Sequence, residues 1–176
     1  MYDALLVIDV QTALMEEHPC NEANFIQNIK ELIESFRTNN KPVLYVQHNG
    51  GIGDDLEHGS KGWSIYQEIE PVLSDIMIEK KFNSAFRQTA LKEELDKINA
   101  KNIIICGMQT EYCIDVSVKV AFEYVYNITI VKNSTTTFDN DFSQGEKLTK
   151  YYEDKIWNNR YATVISQKEF KDNMNK

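Results

Sequence analysis

The chain has 176 residues, 42% of them hydrophobic and 26% charged, a balance that suits one folded domain, spanning 1–176, with a full core. Its net charge of −8 argues against nucleic acid or an anionic membrane surface as the main partner. No apolar stretch approaches the roughly 20 residues that would cross a bilayer, and Ala4 to Ile8 runs straight into Asp9, unlike a secretory signal.

The first element is the continuous apolar run Ala4-Leu5-Leu6-Val7-Ile8, which predicts a strand covered on both faces, as in a parallel sheet. Residues 21–37 carry Phe25, Ile29, Leu32, Ile33 and Phe36 at helical spacing and stop at Asn39-Asn40. Residues 42–47 read as a second strand, completing a strand–helix–strand unit. The passage 48–62 holds five of the seven glycines and reads as a long functional loop, with Asp54-Asp55-Leu56-Glu57-His58 as a solvated part of it. A short helix is expected over 63–69 and a third strand over 75–79, running into Lys80-Lys81. A helix over 89–98, a strand over 102–106, a helix over 112–126 and a strand over 127–131 follow. A helix over 143–157, with Tyr151, Tyr152 and Trp157 facing the core, and a last strand over 161–165 precede a polar tail. Six strands alternating with helices predict an α/β fold: a three-layer αβα sandwich around a six-stranded, mainly parallel sheet.

Ligands of such sheets bind beyond the carboxyl ends of the strands. Asp9 follows the first strand, Lys80 and Lys81 the third, and Cys113 lies just past the fourth. At the start of a helix a thiol meets free backbone N–H groups and the positive helix end, which favour the thiolate. A partly desolvated Asp9 has its pKa raised toward that of a working base. The N–H groups of the 107–113 turn are the expected oxyanion hole for an acyl intermediate. The plain alternative is a buried structural cysteine at an ordinary turn. Cys20, Cys106 and Cys113 form neither a disulfide framework nor a zinc motif, and a reducing cytoplasm is the expected location.

Three motifs in order, Leu6-Val7-Ile8-Asp9-Val10-Gln11, then Ile78-Glu79-Lys80 with Ser84-Ala85-Phe86, then Gly107-Met108-Gln109-Thr110-Glu111-Tyr112-Cys113, resemble the isochorismatase-like cysteine hydrolases. Nicotinamidases and related amidohydrolases belong to that superfamily, and Thr137-Phe138-Asp139-Asn140 is similar to its later loop. The resemblance implies a strand order of 3-2-1-4-5-6 and a triad of Asp9 (base), Lys80 and Cys113 (nucleophile). The family's lysine lies four residues before the serine of the Ser-Ala-Phe motif, which selects Lys80 over Lys81. It also implies a cis Met108–Gln109 peptide, aiming the Gln109 and Cys113 N–H groups at one oxyanion.

Gln11, His48, Trp63 and Tyr112 are the candidate substrate-binding residues. His48 stands where nicotinamidases begin a metal-binding Asp/His cluster, but the Asp-x-His spacing is absent, so neither a metal nor another cofactor is expected. The implied reaction is cleavage of a carbon–nitrogen bond in a small amide or imide, in a dimer or tetramer. Hydrolysis of another bond, such as the vinyl ether of isochorismate, and a non-catalytic binding member of the fold are the rival readings.

Overall fold

A computed structural model describes residues 2–174. The sheet is parallel and runs β3-β2-β1-β4-β5-β7, with strands β1 (Ala4–Ile8), β2 (Val43–His48), β3 (Ile76–Lys80), β4 (Asn102–Met108), β5 (Asn127–Val131) and β7 (Thr163–Ile165). This is the anticipated order. The last strand takes the number seven because a two-residue strand, β6 (Thr135–Thr136), pairs with the end of β4 at Gly107 and Met108.

All five residues of β1 are buried, which is why it reads as an unbroken apolar run. Strand pleating sends alternate side chains into two separate cores. Leu5 and Val7 join Phe25, Ile29, Leu32 and Phe36 of helix α2 (Glu22–Thr38) on one face. Ala4, Leu6 and Ile8 join Leu91 and Leu95 of α3 (Leu91–Lys97), Val118 and Ala121 of α4 (Asp115–Glu123) and Trp157 on the other. Helices therefore cover both faces of the sheet.

Several elements differ from the sequence expectation. A one-turn helix α1 (Thr12–Glu16) follows β1, and the segment expected as helical over 63–69 has only a 3-10 turn at Gln67–Ile69. The helix expected over 112–126 starts with a π turn, Thr110–Ile114, and ends at Glu123. That expected over 143–157 splits into α5 (Gly145–Tyr151) and a π turn at Tyr152–Trp157. Trp157 is fully buried and donates to Asp115 at 3.0 Å, but Tyr151 is exposed. The polar tail holds helix α6 (Gln167–Met174), docked by the single fully buried side chain of Phe170 against Tyr2. No described helix is long and apolar enough to cross a membrane.

The second π turn buries Glu153, whose carboxylate accepts the Asn133 N–H at 3.0 Å and whose pKa burial raises to about 7. A carboxyl raised above its unfolded value gives stability that is intact below about pH 4.5 and is lost as pH climbs through about 7. Glu153→Gln keeps the acceptor without the charge. We expect it to match the parent near pH 4 and to exceed it by on the order of 2–3 kcal/mol at pH 8, read from urea unfolding at both pH values. Equal stability at pH 8 would contradict the assignment.

Candidate active site

Sheet register brings the candidate residues to one edge. Ile8 pairs with Gly107 and His48 with Lys80, so Asp9, His48, Lys80 and the segment after Gly107 all emerge at the carboxyl ends of adjacent strands. Gly107 is where β4 must be bare: its φ is +124°, and a Cβ would lie 2.0 Å from the Ile8 carbonyl oxygen. Asp9 itself turns off the strand with φ +54° while its N–H still bonds Val46 at 2.8 Å.

Lys80 lies at the centre, with its side chain fully buried. Its ammonium is 2.7 Å from Asp9 Oδ2, 3.1 Å from His48 Nδ1 and 3.3 Å from Cys113 Sγ. An ammonium has three N–H donors, and here each meets one acceptor. Accepting at Nδ1 requires a neutral His48, and burial, then the charge of Lys80, lowers the imidazole pKa. Lys81 is exposed and makes none of these contacts. The second Asp9 oxygen, Oδ1, is buried without a well-aligned donor, although the carboxylate and the Cys113 thiol do act on each other. Burial raises the pKa of Asp9 against the opposing pull of Lys80.

The expected thiolate is corrected. Burial, then the charge of Asp9, pushes the Cys113 thiol up to about 12, with Lys80 opposing. Desolvation of the sulfur works against the helix-end effect read from sequence. The arrangement favours an Asp9–Lys80 ion pair beside a protonated thiol.

The segment that carries Cys113 is held from behind. Ile114 N–H bonds the Gln109 carbonyl at 3.2 Å, five residues back, giving the π turn that carries Cys113. The Met108–Gln109 peptide is cis. Thr137 Oγ1 donates to Glu111 at 2.9 Å, and Thr110 and Thr149 share a hydroxyl hydrogen bond at 3.2 Å. The Ser84-Ala85-Phe86 motif fixes the chain after Lys80: Ser84 Oγ accepts the Phe86 N–H, and the Ala85 N–H bonds Ser117 of α4 at 3.0 Å.

A cavity of about 280 Å³ opens over Cys113, lined also by Asp9, His48, Met108, Gln109 and Tyr112. Leu14, Leu56 and Asn83 complete its wall, and sequence reasoning missed these three. Leu56 lies in the stretch expected to be solvated, yet it is buried, its N–H held by Asp54 at 2.8 Å. Asn83 immediately precedes the Ser-Ala-Phe motif, the one signal that marked it. Gln11 does not reach the cavity. Its amide is spent on backbone, donating to His48 at 3.0 Å and Trp63 at 2.8 Å and accepting the His48 N–H at 2.8 Å, so it fixes the start of the loop. Trp63 is also off the lining and packs against His58 in a tilted arrangement, ring centroids 4.4 Å apart.

Among the described residues no group of three or more His, Cys, Asp or Glu is placed to hold a metal ion. His48 fits such a role poorly, because Nδ1 already faces the Lys80 ammonium.

The sequence profile of the isochorismatase domain matches residues 3–169. The chain belongs to the isochorismatase family. An uncharacterized isochorismatase family protein, YddQ, from Bacillus subtilis (strain 168) is 30% identical over 142 residues, covering 78% of this chain and 79% of that one. Nicotinamidase 3 of Arabidopsis thaliana is 30% identical over 156 residues, covering 80% and 76%. A crystal structure of an isochorismatase family protein superposes with a TM-score of 0.87 at 26% identity, over 93% of this chain and 98% of that one. Within this isochorismatase fold the three residues around the Lys80 ammonium come from the end of β1 (Asp9), from β2 (His48) and from the π turn (Cys113).

Proposed function

We propose that this isochorismatase-family protein is a cysteine amidohydrolase that cleaves the carbon–nitrogen bond of a small amide. The observation that carries the reading is the buried Lys80 ammonium bound at once to Asp9 and Cys113. The similarity to a nicotinamidase supports amide chemistry over another bond.

In the proposed reaction the Cys113 sulfur attacks the substrate carbonyl as its proton passes to Asp9. The oxyanion accepts hydrogen bonds from the Gln109 and Cys113 N–H groups. Asp9 returns the proton to the amine as the carbon–nitrogen bond breaks, leaving a Cys113 thioester. Water then attacks the thioester, giving one proton to Asp9, which passes it back to the departing sulfur. Lys80 holds the carboxylate charged and in place. Gln109, Tyr112 and His48 contact the substrate.

The test is ammonia release from a panel of primary amides that includes nicotinamide and pyrazinamide. Asp9 must be unprotonated to take the thiol proton, and its pKa is raised by burial. The acid limb of kcat/KM is therefore expected above the ordinary aspartate value of 3.8 and absent in Asp9→Asn. A flat profile down to pH 4 would remove Asp9 from the base role, and a panel with no turnover would remove the amidohydrolase reading.

A further inference from the structure

The reaction cavity does not end at His48 and Asn83. Both residues also line a second, wider groove of about 800 Å³ that continues past the mouth of the site. Its walls include Phe82, Phe86, Val120 and Tyr124, and its charged side chains are Lys81 and Arg87, with no Asp or Glu among the lining. For a chain of net charge −8 this is a local inversion of sign.

Neither cation is neutralised by an ion pair among the described residues. Glu79 lies close enough to feel Lys81, but its two oxygens are taken by Asn49 and His58. The Arg87 guanidinium sits 3.8 Å over the Phe82 ring, which fixes its position at the groove. A molecule with its amide at Cys113 and an arm passing His48 and Asn83 would lay an apolar spacer along the aromatic wall. Its far end would meet two unpaired positive charges.

We propose that the substrate is an amide carrying an anionic group on an extended, largely apolar arm, which Lys81 and Arg87 bind in this groove. The proposal rests on the amidohydrolase reading of the Cys113 site. Exposed charge pairs are individually weak, so the two cations together give about a ten-fold preference rather than absolute selection.

The experiment compares phenylacetamides bearing a para carboxylate on zero to four methylenes with neutral para-acyl counterparts of matched length. The readout is the ratio of anionic to neutral kcat/KM. At low salt at least one spacer length should favour the anion about ten-fold. The ratio should shrink in 0.5 M NaCl, where screening is within a few ångströms, and approach one in the Lys81→Gln/Arg87→Gln double variant. Ratios near one at every length overturn the proposal. So does a preference that survives in the double variant. A preference unmoved in that variant together with an altered sedimentation coefficient would assign the groove to an interface between copies. If the parent protein cleaves none of these amides, the reaction assignment is left to the primary-amide panel, and the groove is judged by calorimetric binding of the same pairs to Cys113→Ala. Tighter binding of the anion there supports it, and equal binding overturns it.

Discussion

Cys113→Ala should reduce amide hydrolysis by at least about 10⁴-fold while leaving the fold intact. The sulfur is the only group in the proposed reaction that bonds to substrate carbon, so its loss removes the thioester route rather than weakening it. Removing a nucleophile from a cooperating set costs nearly as much as removing the whole set. The substitution is mild for stability, because the thiol makes one hydrogen bond, from Lys80 at 3.3 Å, and Ala fits any helical turn. Ammonia release and a urea melt on the same preparation check both halves. Retention of even a tenth of the activity would show that another group attacks the carbonyl.

Lys80→Met carries the second large effect, and it falls on stability and rate together. Its ammonium is wholly buried, and removing it strands the Asp9 carboxylate, which then has no cation at the 2.7 Å position. Breaking a buried pair on one side costs about 3–5 kcal/mol unless the survivor neutralises. Asp9 neutralises by taking up a proton, driven by the burial that already raises it. A protonated Asp9 cannot accept from Cys113, so kcat at neutral pH is expected to fall about 10²–10⁴-fold, with activity recovering toward high pH. Lys81→Met, at an exposed position, should shift stability by less than about 0.5 kcal/mol and should lose far less turnover of an uncharged amide. A larger loss at Lys81 would transfer the role to it.

The sheet was legible because buried parallel strands have no polar face: β1 and β4 each appear as a continuous apolar run ending at a chemically distinctive residue. Elements held by few contacts were not. Helix α6 has one buried anchor, Phe170, and with only Met174 as a second apolar residue among eight its period is too short to stand out. The π turn at Thr110–Ile114 depends on what Gln109 accepts, which no propensity encodes. Gln11 shows the same limit at the site. Its amide bonds residues 37 and 52 positions away, so its neighbours in sequence cannot tell a substrate contact from a strut. Charge state was the other illegible quantity. Position at a helix start pointed to a thiolate, whereas the depth of Cys113, set by the whole fold, points to a thiol.

The three-way donation of Lys80 has a consequence for how the reaction senses its medium. One carboxylate, one ammonium, a neutral imidazole and a neutral thiol sum to zero. Passing the thiol proton to Asp9 leaves that sum unchanged, so in the proposed reaction the first step moves a proton inside an electroneutral cluster and calls no counterion in from solvent. Turnover of an uncharged amide should then be nearly indifferent to ionic strength, and the salt response of this protein becomes a meter of whatever lies outside that cluster.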